Sequence, residues 1–284
     1  MTTINERKKE NCNSTLVSFI PSKRINDSTC HIVNVKYLHF YSYCTNVLKV
    51  MLHFVQVHIM ILIVAGLLIT SGFDNKLLSW DVRTKKASSL SRSLDEEIES
   101  MSISGFKVTV GIGASAHVFD FRNFDKPTLS MEPCSGTQLR CVSSIPYAEG
   151  FAAGSMDGRV ALHVSNSSNL NDTGYAFRYH PKSKDGRYHL TSINDIAFSP
   201  LVSRAFVTGN DEGYVSIWDA RSTKRLIEFP RYSNSVASLS YNHSGQLLAV
   251  ASSYTYREAK EKRLEPPQVF IHKVDDINFG SSSA

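Results

Sequence analysis

Short alternating runs of apolar and polar residues recur along most of this chain. In residues 67–81, LLITSGFDNKLLSWD, an apolar run meets Ser-Gly, then an Asp-Asn turn, then a second alternating run ending in Trp-Asp. Residues 205–219, AFVTGNDEGYVSIWD, place the same elements in the same order. In residues 151–164, FAAGSMDGRVALHV, the turn is Asp157-Gly158 and His163 stands in the Trp position. In residues 107–120, KVTVGIGASAHVFD, Phe119-Asp120 replaces Trp-Asp and the turn has no acid. Residues 246–254, QLLAVASSY, repeat the first strand alone. Alternation with a period of two predicts strands with one packed face. Asp-Asn and Asp-Gly accept the positive φ of a tight hairpin turn at little cost.

The turns fall at Asp74, Gly113, Asp157 and Glu212, with spacings of 39, 44 and 55 residues. Units of roughly 40–45 residues, each built from short strands, predict an all-β fold, the WD-repeat β-propeller. A single four-stranded blade cannot bury both faces, so blades stack around an axis. The segments LRCVSSIP (139–146), INDIAFSP (193–200) and SVASLSYN (235–242) precede the units and predict the innermost strands. The stretches 167–190 and 256–268 read as long insertions, loops or extended hairpins at the rim. Four blades are expected from residue 57 to about 230, and a fifth from SVASLSYN, QLLAVASS and VFIHKV. Trp80, Phe119 and Trp218 are expected to be largely buried at equivalent positions. The organisation is therefore an atypical segment 1–56, a propeller over 57–277 and a tail over 278–284.

Residues 50–70 contain an apolar run long enough to cross a membrane. His53, Gln56 and His58 interrupt it, and such residues are costly in lipid. LLIT already belongs to a strand, so the reading is two strands with a tight turn near Ala65-Gly66, and no membrane partner. The net charge of +5 is spread along the chain. It suits an acidic or phosphorylated partner and lacks the dense basic stripe of a nucleic-acid binder. The five cysteines, with no C-x-x-C pair, read as reduced thiols of the cytosol or nucleus. The charged start lacks the apolar core of a secretory signal. The ten histidines form no zinc-binding spacing, GIGAS (111–115) lacks the third glycine of a dinucleotide fingerprint, and no nucleophile–base pattern stands out. These patterns predict no enzyme, cofactor, metal or small-molecule substrate.

Residues 139–276 resemble the WD-repeat member of the Bub group, mitotic spindle-checkpoint adaptors. The phrases that carry the resemblance are LRCVSSIP, DGRVAL, YAFRYH, INDIAF, RLIEFPRYSNSVASLSYNHSGQLLAVASSYTY and VFIHKVDD. Residues 67–123, ending in FDFRNF, resemble the same family, so the likeness covers about three quarters of the chain. The Rae-type messenger-RNA export adaptors are a related group, but RYSNSVASLSYN is more similar to the checkpoint member. The family ring has seven blades, of which about five are recognisable here. Two further repeats are expected before residue 57. Residues 1–56 show neither Trp-Asp nor a Ser-Gly-x-Asp turn, like an alternative start joined to a propeller.

The resemblance implies a non-enzymatic adaptor of the nucleus and kinetochore, also present in the cytoplasm. It implies that Arg140 grips a Glu-containing motif of checkpoint kinases. It implies that Arg159 in DGRV and Arg178 in YAFRYH read a phosphothreonine in Met-Glu-Leu-Thr repeats of a kinetochore scaffold. Tyr175 and Phe177 are candidates to hold the Met and Leu of that peptide. Guanidinium forks suit both anions, because they pair bidentately with carboxylate or phosphate. The plainer reading is that Arg159 solvates its turn and Arg178 lies in an insertion. Trp-Asp-x-Arg also occurs where propellers dock on the adaptor of cullin-type ubiquitin ligases. Arg83 and Arg221, with Arg122 in the FDFR variant, are candidates for that contact, against the ordinary alternative of solvated strand ends. Export adaptor and ligase substrate receptor stand as the alternative functions.

Overall fold

The computed structural model describes residues 5–7, 14–18, 60–64, 67–71, 75–81, 86–123, 125–146, 150–164, 173–178, 191–202, 205–242, 244–253 and 266–274. Among them are twenty-one strands in five antiparallel sheets, and no helix. Two short strands, β1 (Asn5–Arg7) and β2 (Ser14–Ser18), lie near the N-terminus. The first blade is β3 (Met60–Val64), β4 (Leu67–Ser71), β5 (Lys76–Asp81) and β6 (Lys86–Ser93). The second is β7 (Ile98–Ser104), β8 (Lys107–Ile112), β9 (Ser115–Asp120) and β10 (Leu129–Met131). The third is β11 (Leu139–Ser144), β12 (Gly150–Ser155), β13 (Arg159–Val164) and β14 (Thr173–Arg178). The fourth is β15 (Ile193–Phe198), β16 (Ala205–Asn210), β17 (Val215–Asp219) and β18 (Arg225–Glu228). The fifth contains β19 (Val236–Tyr241), β20 (Leu247–Ser252) and β21 (Gln268–Lys273). The first strands of successive blades lie side by side, β3 to β7 to β11 to β15 to β19.

Side chains of one inner strand fix the backbone of the next. Ser100 Oγ accepts from Val142 N at 3.0 Å, and Ser102 Oγ accepts from Ser144 N at 2.9 Å. Asp195, fully buried, accepts from Leu239 N at 2.8 Å and from Ser238 Oγ at 3.0 Å through one oxygen. Glycine on the second strand lets the next blade approach. A Cβ at Gly209 would lie 2.3 Å from Val236 Cγ1, and one at Gly154 would lie 2.7 Å from Ile193 Cγ2. Positive φ at Asn75, Gly158 and Gly213 matches the tight turns read from the sequence.

The repeat is visible residue by residue in the third strands. Trp80 opposes Leu68, Phe119 opposes Val108, His163 opposes Phe151 and Trp218 opposes Phe206. Trp80 Nε1 donates to Thr70 Oγ1 at 2.9 Å, and Trp218 Nε1 donates to Thr208 Oγ1 at 2.8 Å. In the blades without Trp the acceptor position holds Val110 and Ala153, so ring N–H and hydroxyl disappear together. Phe119 and Trp218 are 1% and 6% exposed, while Trp80 is only half-buried. The alternation explains the difference. Ile69 and Leu77 pack toward the second blade, so Trp80, on the other face of the sheet, points away from it. Trp218 points at the third blade and packs against Phe177 in a tilted ring contact.

One expectation is corrected. The stretch 167–190, read as an inserted loop or extended hairpin at the rim, contains β14, the fourth strand of the third blade. The segment 1–56 contributes β1 and β2 to the fifth sheet. Its order is β1-β2-β21-β20-β19, with Ser14 opposite His272 and Val17 opposite Val269. β3 and β4 form the expected antiparallel pair, Val64 opposite Leu67. The turn at Ala65-Gly66 and residues 50–59 lie outside the described residues, as do 165–172, 179–190 and 254–265. Among the described residues no helix is long and apolar enough to cross a membrane.

Candidate functional site

The candidate residues separate onto two ends of the blades. The start of each inner strand pairs with the end of the second strand. Strand entries and second-to-third-strand turns therefore share one end. At that end the inner strands carry bulges. Ile98 and Ser100 flank one, Leu139 and Cys141 another, Ile193 and Asp195 a third, and Val236 and Ser238 a fourth. The extra residues are Glu99, Arg140, Asn194 and Ala237. A bulge leaves its extra residue unpaired and re-aims the side chain. Arg140 faces Glu99 of the preceding blade, 3.9 Å from Nη1 to Oε2. The other oxygen of Glu99 accepts from Gln138 Nε2 at 2.8 Å. At 3.9 Å the ion pair is loose, and both side chains keep access to solvent.

Arg159 and Arg178 come together. They are direct cross-strand partners on β13 and β14. Both meet one oxygen of Asp157 in the turn before β13: Arg178 Nη2 donates to Oδ2 at 2.9 Å, and Arg159 Nε forms an ion pair with the same oxygen at 3.0 Å. Ser155 Oγ donates to the other oxygen at 2.6 Å. Arg159 Nη1 also donates to the carbonyl of Cys134 at 3.1 Å. Beneath it burial pushes the Cys134 thiol up to about 11, so the thiol contributes no charge near neutral pH. The guanidinium side chains are 30% and 38% exposed, so an anion from solvent reaches both.

Tyr175 and Phe177 do not join them. Successive residues of a strand point to opposite faces. Arg178 shares its face with Arg159, whereas Tyr175 and Phe177 pack toward the fourth blade. The Phe177 ring lies 4.9 Å from that of Trp218, and burial raises the Tyr175 hydroxyl pKa with a smaller push from Asp219. Both are partly buried props of the interblade core. Asp157 as the shared acceptor, and Glu99 and Gln138 beside Arg140, were not singled out as site residues by sequence; the turn acid of DGRV was the available signal for Asp157.

The Trp-Asp-x-Arg arginines follow the third strands and lie at the opposite end. Arg122 is bound back on Asp120, with Nε at 2.8 Å from Oδ1 and Nη2 at 2.5 Å from Oδ2, and it stacks over Phe106 at 4.4 Å. These bonds hold the Asp120 carboxyl down at about 2. Arg221 is exposed, and Asp219 Oδ1 accepts from its backbone N–H at 3.1 Å. Arg83 lies outside the described residues. Among the described residues no group of three or more His, Cys, Asp or Glu is placed to hold a metal.

No protein-family profile matches the chain. It is 46% identical over 209 residues to the mitotic checkpoint protein BUB3.3 of Arabidopsis thaliana, covering 74% of this chain and 66% of that one. It is 38% identical to BUB3.1 of the same plant, covering 75% and 64%. It is 33% identical to the mitotic checkpoint protein bub3 of Dictyostelium discoideum, covering 73% and 63%. The chain thus spans just under two thirds of the length of these relatives. Two solved structures share the fold. The Cps50 (Swd1) β-propeller domain of Myceliophteria thermophila has a TM-score of 0.57 at 17% identity, over 69% of this chain and 65% of that one. A chain of a mitotic checkpoint complex has a TM-score of 0.58 at 13% identity, over 70% and 58%.

Proposed function

This chain belongs to the BUB3 family of WD-repeat mitotic checkpoint proteins, and on that footing we propose that it is a non-enzymatic spindle-assembly-checkpoint adaptor. It carries checkpoint kinases to a phosphorylated kinetochore scaffold, in the nucleus and at the kinetochore. The observation that supports this reading best is the cross-strand pair Arg159–Arg178. Two half-exposed guanidiniums share one carboxylate oxygen at one end of the third blade. Such a pair makes binding conditional on phosphorylation, because a phosphothreonine brings nearly two charges and three acceptor oxygens. Arg140 lies at the same end and takes the Glu-containing kinase motif, exchanging its loose contact with Glu99 for the incoming carboxylate. The export-adaptor and ligase-receptor readings carry less support. The relatives above are named for the checkpoint, and Arg122 of the ligase set is tied to Asp120.

The test is recruitment in cells and binding in solution. A fluorescent fusion of the whole chain is imaged in cells arrested in mitosis, and wild type and Arg140→Glu are titrated with a peptide of the kinase motif. Kinetochore foci, and motif binding that Arg140→Glu abolishes, are the expected results. A diffuse mitotic signal together with no motif binding by the wild type overturns the reading.

A further inference from the structure

Asp157 is the acid that the phosphopeptide reading leaves without a task. Its Oδ2 receives both guanidiniums, and its Oδ1 is held by Ser155 Oγ. It therefore cancels one of the two positive charges at the place where a phosphate would bind. Arg159 Nη2, and Nε and Nη1 of Arg178, make no hydrogen bond among the described residues. These donors are the ones an incoming anion would meet, with the Asp157 carboxylate behind them.

We propose that Asp157 is a built-in competitor that sets the affinity of the Arg159–Arg178 pair for a phosphorylated ligand; this rests on the phosphopeptide reading of that pair. Two arginines without a counter-ion attract any anionic segment, phosphorylated or not, and hold a phosphopeptide too firmly for quick release. The fixed carboxylate repels each incoming anion in proportion to its charge. It keeps single-charge ligands near the level of neutral ones and leaves the dianion with a weak, reversible bond. The rival to this competing role is a purely structural one, in which the carboxylate only holds the two guanidiniums aimed at one place. The two roles predict opposite signs for its removal. A purely structural Asp157 makes a neutral variant bind more weakly. A competing Asp157 makes it bind more tightly, and by an amount that grows with ligand charge.

The test uses the full chain and three peptides of one sequence: phosphothreonine, glutamate in its place, and unmodified threonine. Wild type, Asp157→Asn and Asp157→Ser are titrated at low ionic strength, where screening is least. Serine suits a turn position and guards against a folding defect peculiar to asparagine. At a separation near 6 Å in a water-like medium, loss of the carboxylate tightens the phosphothreonine peptide about tenfold and the glutamate peptide about threefold. The unmodified peptide is expected to be unchanged. Equal or weaker phosphopeptide binding by a folded neutral variant overturns the proposal and leaves the phosphopeptide reading standing. Wild type that fails to distinguish the phosphothreonine peptide from the unmodified one overturns both. If neither variant folds, Asp157 is a folding residue and the proposal fails.

Discussion

Arg159 and Arg178 stand directly opposite each other across the β13–β14 ladder, where like charges repel, and one oxygen of Asp157 between them offsets that repulsion. The pair is therefore built rather than incidental, and each arginine is expected to matter to the same ligand. Arg159→Ala and Arg178→Ala should each weaken a phosphorylated Met-Glu-Leu-Thr peptide by about ten- to a hundredfold, the size of one charge-assisted hydrogen bond. Fluorescence anisotropy with wild type and both variants checks this. Unchanged affinity in both removes the pair from the site.

The bond between Trp218 and Thr208 predicts non-additive mutations. Thr208→Val leaves a buried indole N–H without its acceptor and should cost about 1–3 kcal/mol. Trp218→Phe should also destabilise, by lost packing against Phe177. The double variant recreates the Phe119–Val110 combination of the second blade, so its cost should fall about 1 kcal/mol or more short of the sum. Urea unfolding of the four proteins measures the cycle. Strict additivity would show that the bond carries no coupling.

Gly209→Ala should be strongly destabilising, because the added Cβ would sit 2.3 Å from Val236 Cγ1 at the fourth-to-fifth-blade contact. Overpacking of this kind costs about 1–3 kcal/mol. The companion Gly209→Ala/Val236→Ala should regain part of that loss by opening the space. Thermal melts compare the two, and an unchanged midpoint for the single variant would exclude the close approach.

Asp120 gives a pH test with a definite sign. Arg122 holds its carboxyl at about 2, below the ordinary range. A depressed carboxyl stabilises the fold above the unfolded-state value of about 4, and the effect fades as pH falls through about 2. Arg122→Ala should return the Asp120 carboxyl to the usual range and erase that acid-side dependence. Carbon-detected NMR titration of the carboxyl reads it directly; an unmoved titration midpoint would mean that Arg122 is not its partner in solution.

Cys134 is a buried free thiol. Burial holds the Cys134 thiol up at about 11, so it should resist iodoacetamide at neutral pH until the chain unfolds. Peptide-resolved mass spectrometry with and without urea checks this, and prompt native labelling of Cys134 would contradict its burial.

Most of the blade core was legible because its signals are local. Trp-Asp, the turn acids and the period-two runs each sit within about fifteen residues of chain, and the structure places Trp80, Phe119, His163 and Trp218 in register as the repeats required. β14 escaped notice because GYAFR is short, lies between polar stretches and lacks a Trp-Asp ending. β2 escaped because STLVS gains meaning only from β21, more than 250 residues away. For the site, the two arginines were legible as residue types in known phrases. That Tyr175 and Phe177 point away from them follows from strand alternation, which applies only once β14 is set in register with β13. The bulges that lift Glu99 and Arg140 depend on register with a neighbouring strand, which no local pattern records.

The pairing of β2 with β21 also sets a timetable for synthesis. A ribosome adds roughly 5–20 residues each second, so β21 leaves it roughly 10–50 s after β2. Through that interval β2 is without its partner while the intervening blades are made. A sheet edge waiting so long is open to pairing with strands of other chains. β2 is made long before it can be housed, and a fusion or a cut beside β2 or β21 disturbs the same sheet.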